Sequence, residues 1–253
     1  MLVDSHCHLN YLDDPDSRLQ AARLAGVDGF LCIGVDKDGI AAVLDIAERH
    51  LDVWASVGQH PEAAESPPDW VSDYLTHPRV VAVGETGLDY HHGRQAHIQR
   101  LQRERFAWHL EIAGVAGLPV VVHTRDAVAD TADLLRAHRD VGGVLHCFTE
   151  TWDLAKSALD LGYYISISGI VTFRNGENVR EVASRVPRDR LLVETDCPWL
   201  APAPHRGRTN EPAFVRDTAT FLADHLNWDR DALAAQTSEN FFRLFACGPQ
   251  TAA

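Results

Sequence analysis

The stretch "GVLHCFTETWDLAKSALDLGYYISISG" (residues 143–169) decides how the chain is read. It opens on a short β-branched run, "GVLHC" (143–147), which reads as a buried strand. "TWDLAKSALDLG" follows with helical patterning and ends on Gly162, where a helix C-terminal cap is expected. A second strand candidate, "YYISISG" (163–169), comes directly after. Strand, helix and strand in succession make a right-handed βαβ unit with parallel strands.

The same alternation runs outward in both directions. Earlier strand candidates are "LVDSHCH" (2–8), "DGFLCIGV" (28–35), "VWASVG" (53–58), "VVAVGE" (80–85) and "PVVVH" (119–123), and "LLVET" (191–195) comes later. That makes eight strands. Helical stretches between them include "PDSRLQAARLAG", "DGIAAVLDIAERH" and "RQAHIQRLQRERFAWHLEIAGVAG", with Gly26 and Gly117 at further cap positions. Eight such units in 253 residues predict a (β/α)8 barrel, a TIM barrel of class α/β, as a single domain over 1–253. The tail "DRDALAAQTSENFFRLF" predicts an extra C-terminal helix packed on the barrel. An open doubly wound sheet is the alternative, but no Gly-rich phosphate loop follows the first strand. "SPPDW" and "APAPHRGRTNEP" read as loops rather than domain boundaries.

Composition narrows the classes of function. A net charge of −13 offers no general attraction to duplex nucleic acid. Cations held by carboxylates would offset part of that charge. Five widely spaced cysteines without a CxxC argue for reduced thiols and a cytoplasmic protein. No apolar run approaches the length that spans a membrane, and no signal peptide or obligate protein partner is expected.

Residues capable of chemistry gather at the strand ends. His6 and His8 end the first strand, His60 follows the third, and Glu85 closes the fourth. His123 closes the fifth, His146 the sixth, and Asp196 follows the eighth. Taken alone, "VDSHCHL" is ambiguous, because an H-x-H pair on an exposed strand face is commonplace. In a (β/α)8 barrel, however, the C-terminal strand ends form the active-site face. Even without His60, four imidazoles and two carboxylates exceed what one tetrahedral ion needs and suffice for two divalent ions bridged by a carboxylate. Lys37 and Lys156 are the only lysines and neither is at a strand end, so Glu85 is the natural bridge. Period-2 alternation then turns Cys7 and Cys147 toward the helix layer as small buried side chains. Arg125, and Arg206 and Arg208 in the loop after strand eight, are candidates for holding phosphate. Tyr90, Phe173 and Trp199 are candidates for stacking on a base.

The ordered series "VDSHCHL", "VGQHPE", "VGETGLDY", "VVVHTRDA", "GVLHCF", "SGIVTFRN", "LLVETDCPWLAP" and "RGRTNEP" resembles the TatD-type metal-dependent deoxyribonucleases, a branch of the amidohydrolase-like barrels, over essentially the whole chain. The resemblance implies that His6, His8, Glu85, His123, His146 and Asp196 bind two divalent ions (Mg, Mn or Zn), with Glu85 bridging. It places His60, Arg125 and the 206–211 loop near the substrate phosphate. It implies 3'-5' exonuclease-like hydrolysis at DNA 3' ends, or of a small phosphodiester, with Asp196 as general base toward the attacking water. Glu150 departs from a position that is commonly glycine, and Thr86 from a commoner isoleucine. The metal apparatus serves hydrolysis at carbon equally well, so a deacylase acting on an ester, amide or lactone is the competing enzyme. A metal-bearing scaffold without activity is the non-enzymatic alternative.

Overall fold

The computed structural model describes residues 1–63 and 68–248. Eight parallel strands follow one another around a single sheet in chain order: β1 (Val3–Cys7), β2 (Gly29–Ile33), β3 (Val53–Val57), β4 (Val80–Asp89), β5 (Val120–Arg125), β6 (Gly143–Leu145), β7 (Tyr164–Ile167) and β8 (Leu191–Val193). The helices are α1 (Pro15–Leu24), α2 (Ile40–Arg49), α3 (Ala96–Ala116), α4 (Val128–Ala137), α5 (Trp152–Asp160), α6 (Glu177–Ala183), α7 (Val215–His225) and α8 (Arg230–Phe245). This is the expected (β/α)8 barrel. Gly26, Gly117 and Gly162 all take positive φ just past a helix, as their cap positions predict.

Between β3 and β4 the described chain forms two short 3-10 helices, Pro61–Ala63 and Asp69–Tyr74, in place of an α-helix. Within the expected loop "SPPDW", residues 66 and 67 lie outside the described residues, and the 3-10 helix begins at Asp69.

The barrel closes between β8 and β1 without a regular ladder. The Asp196 N–H donates to the His6 carbonyl at 2.9 Å, and the His8 N–H to the Cys197 carbonyl at 2.9 Å. The Asp4 carboxylate accepts the Thr195 N–H at 2.8 Å and its hydroxyl at 2.6 Å, while the Ser5 hydroxyl donates to the Val193 carbonyl. Each bond satisfies a backbone or side-chain group that an open seam would leave buried and unpaired.

Two apolar layers result. Alternate strand residues such as Leu31, Val121, Val144 and Leu192 face into the barrel, and their neighbours meet the helices. Phe241 and Phe245 of α8 belong to the inner layer, with the Phe241 ring 5.7 Å from Trp54. The Asn240 amide of the same helix donates to the carbonyls of Arg188 and Leu191, at the start of β8. The C-terminal helix therefore seals the N-terminal mouth of the barrel and leaves the opposite mouth for chemistry.

Candidate metal centre

Single-residue register shifts in β1 and β4 aim the key side chains. Val3 faces the barrel interior, so strict alternation would send Cys7 inward and His6 and His8 outward. Asp4 pairs with Phe30, but Cys7 pairs with Cys32, so β1 spends three steps against two on β2. That extra residue reverses the faces. Cys7 joins the helix-facing layer with its thiol toward the Leu31 carbonyl at 3.3 Å, and His6 and His8 turn inward.

β4 repeats the device against β5, where Val83 pairs with Val120 and Thr86 with Val122, and Glu85 sits at the shift. The expected strand ended at Glu85, whereas β4 continues to Asp89. Gly84 and Gly87 resemble turn signals in the sequence but serve close packing here. A Cβ on Gly87 would lie 2.0 Å from the His123 carbonyl oxygen.

Glu85 stands at the centre of the inward-facing group. Its Oε1 lies 2.9 Å from His146 Nε2, 3.2 Å from His123 Nδ1 and 3.4 Å from His60 Nε2. Its Oε2 lies 3.5 Å from His6 Nε2 and 3.8 Å from His8 Nε2. Asp196 Oδ1 completes the ring, 3.4 Å from His8 Nε2 and 3.7 Å from His6 Nε2. Three overlapping trios, His6–His8–Glu85, His6–His146–Asp196 and His60–Glu85–His123, each present donor atoms within 4.8 Å of one another and could hold a metal ion.

The group is built to contain positive charge. Burial opposes ionisation of Glu85, yet the imidazoles of His146, His60 and His123 overcome it and hold its carboxyl well below the usual range. Burial likewise disfavours a charged His146, but Glu85 and Glu194 raise its pKa well above the ordinary value. His6, buried beside His146, is pushed down instead. His6 Nε2 and His8 Nε2 face each other at 3.1 Å, and the buried His146 Nε2 faces Glu85 Oε1 at 2.9 Å. Nitrogen lone pairs aimed at one another and at a carboxylate suit a shared cation. Mixed imidazole and carboxylate donors fit Zn or Mn well and leave room for Mg.

Two carboxylates that the sequence reading missed support the ring from behind. Asp89, buried, lies with Oδ2 3.1 Å from His123 Nε2. Glu194 lies with Oε1 3.4 Å from His146 Nδ1. Histidines that bind metal usually donate their second N–H to such a carboxylate, which fixes tautomer and ring angle. Glu194 was legible, since it is two residues before Asp196 and alternation puts both on one face. Asp89 was not, because it lies past the expected end of its strand. Asp89 also meets His92 nearer the surface, and His92 in turn meets Glu62.

The remaining expectations divide. His60 was expected beside a phosphate, and it stands in a trio that could hold metal. Arg125 is exposed at the end of β5. Arg206 and Arg208 are exposed on the loop after β8 and make no ion pair or hydrogen bond with the ring. The Arg206 guanidinium lies 3.8 Å over the Phe173 ring and donates to the Ala201 carbonyl. Glu150 accepts the Asp126 N–H at 2.6 Å, so it fastens the turn after Arg125. Cys147 departs from the pattern: its φ of 42° breaks the alternation, and its half-buried thiol meets the Ser168 hydroxyl at 3.1 Å. Among the described residues, no helix is long and apolar enough to cross a membrane.

Comparison with known proteins agrees with this geometry. The profile of the family described as "TatD related DNase" matches residues 3–246. The metal-dependent hydrolase YcfH of Escherichia coli is 46% identical over 255 residues, covering 96% of this chain and 95% of that protein. A protein of Cronobacter turicensis named 3'-5' ssDNA/RNA exonuclease TatD is 35% identical, with 92% of each chain covered. Among solved structures, the TatD homologue YJJV of Escherichia coli superposes with a TM-score of 0.90 at 28% identity, covering 98% of each chain.

Proposed function

The chain belongs to the family of TatD-related DNases and is a metal-dependent hydrolase, and from that premise we propose that it hydrolyses phosphodiesters at DNA 3' ends, acting as a 3'-5' exonuclease with two divalent ions. One observation carries the two-ion part of this reading: the two oxygens of Glu85 are divided between two sets of imidazoles, His6 with His8 and His60 with His123 and His146. A carboxylate so placed could bridge two ions, and the donors on its two sides would suffice for one each. We assign His6, His8, Glu85, His123, His146 and Asp196 as the ligands. His60 would serve either as a further donor or as a contact to substrate.

Divalent ions bound there supply Lewis acidity toward a phosphoryl oxygen and a water of lowered pKa. The chain's own residues do the rest. Glu85 and the imidazoles fix the spacing of the site. Asp196, beside His6 and His8, would accept the proton of the attacking water. Arg125 offers charge to the phosphoryl group as it develops in the transition state. Arg206 and Arg208, which lie over Phe173 and Phe214, are the further candidates for holding phosphate. The name of the Cronobacter relative supports nucleic acid as substrate.

The test adds Mg, Mn or Zn to metal-free protein with end-labelled single-stranded DNA. We expect stepwise shortening from the 3' end, lost by more than about a hundredfold in Glu85→Ala, a larger effect than removing an outer carboxylate. Turnover of ester, amide or lactone substrates, with DNA and nucleotides untouched, would establish the deacylase instead. Failure to bind any metal would overturn both enzymatic readings.

A further inference from the structure

Among the described residues, six large apolar side chains are exposed, and two of these are aromatic: Tyr11 at 44% and Trp199 at 50%. The other four, Met1, Leu24, Leu51 and Val115, are aliphatic. Tyr11 and Trp199 stand together, with ring centroids 5.8 Å apart and planes inclined at 61°. Both also flank His8, at 5.9 Å and 5.0 Å from its ring. An exposed aromatic pair beside a proposed metal ligand calls for a planar partner.

The fold holds both rings in place. Tyr11 ends the 3-10 turn Leu9–Tyr11 directly after β1, and its N–H donates to the His8 carbonyl. Its hydroxyl donates to Asp36 Oδ2 at 3.3 Å, and Asp36 Oδ1 accepts the Gly39 N–H at 2.6 Å. The Trp199 N–H donates to the Asp196 carbonyl at 3.1 Å. The Trp199 carbonyl accepts from the fully buried Asn210 amide at 2.6 Å, and the same amide donates to the Thr195 carbonyl. Rings presented by a braced backbone lose little conformational freedom when a ligand stacks on them. The other aromatic candidates are less open: Tyr90 is partly buried against the core, and Phe173 lies under Arg206.

We propose that Tyr11 and Trp199 form a stacking corner for the nucleobase of the nucleotide whose phosphate lies at the Glu85–Asp196 ring. This rests on the nuclease reading above and gives it a recognition element. A nucleobase is the fitting occupant because every base presents a π-face to an aromatic wall, whatever the sequence. An aliphatic acyl group has no such face.

The test uses two single strands that differ only at the 3' terminus, one ending in an ordinary nucleoside and one in an abasic tetrahydrofuran. For the wild-type holoenzyme the KM of the abasic strand should exceed that of the base-bearing strand by on the order of ten- to a hundredfold. In Trp199→Ala that ratio should collapse toward one, Tyr11→Ala should lower it partway, and Trp199→Phe should keep most of it. Metal content, measured in every variant, separates loss of stacking from damage to Asp196. A wild-type ratio of one, or a ratio unchanged in Trp199→Ala, overturns the corner while leaving the nuclease intact. If the wild-type enzyme cleaves neither strand but hydrolyses carbon esters, the nuclease reading fails and the corner with it.

Discussion

At the scale of single residues, the candidate site is a set of histidines whose aim depends on what stands behind them. Seven strand-end residues could be picked out of the sequence because histidine and carboxylate gathered at one end of a barrel have little reason to be there except chemistry. Their supports were harder to read, since a carboxylate that orients a ligand looks like any other polar residue until the strand bearing it is placed. Asp89 is the sharpest case. With Oδ2 3.1 Å from His123 Nε2, it fixes which imidazole nitrogen is left to face Glu85. Asp89→Asn keeps the volume and removes the charge. We expect metal affinity to fall about 10- to 100-fold, measured by chelator competition, with the fold retained by circular dichroism. An unchanged affinity would reduce Asp89 to a packing residue. Metal must also displace protons, because Asp89 and Glu85 raise the pKa of His123, and Glu85 and Glu194 raise that of His146. Affinity should therefore weaken as pH falls.

At the scale of elements, strand order was legible, whereas the 3-10 segments between β3 and β4 and the register were not. Alternation counted from Val3 would have buried the wrong face of β1, and nothing in "VDSHCHL" marks the extra residue. The sequence reading ended β4 at Glu85, but the strand runs on to Asp89, with Gly87 closely packed on the His123 carbonyl. Helix α3 adds a support of its own. His109, fully buried on that helix, donates through Nδ1 to the Arg105 carbonyl, and its Nε2 accepts the N–H of Gln59, the residue before His60. Burial pushes its pKa from 6.5 down to about 4. The unfolded chain thus takes up a proton near pH 6.5 that the folded protein refuses until about pH 4. The stability contributed by the neutral ring is whole above pH 6.5 and drains as pH falls toward 4, by up to about 3 kcal/mol. His109→Gln retains an acceptor for Gln59 and should flatten the denaturation free energy over that window. A wild-type slope that persists in the variant would assign the acid sensitivity elsewhere.

At the scale of the whole molecule, the two mouths of the barrel do different work, and only one was visible in advance. The strand ends named the catalytic mouth. The amphipathic tail named a helix with an apolar face, but amphipathicity does not say which surface that face will meet. In the structure it meets the barrel interior: Phe241 packs 5.7 Å from Trp54 and 4.8 Å from Phe245, at the ends of the strands away from Glu85. This plug makes α8 part of the barrel's own core, so we expect the chain to unfold as one domain in a single transition. Phe241→Ala should cost about 3–5 kcal/mol in urea denaturation, since the plug cannot collapse into the space it loses without dragging the helix off Leu191 and Arg188. Metal stoichiometry per folded molecule should stay at the wild-type value, because the void opens at the mouth opposite the histidines. A separate early transition for the helix, or metal lost in step with Phe241, would mean that the sealed mouth and the catalytic mouth are coupled through the barrel wall rather than independent ends of one rigid core.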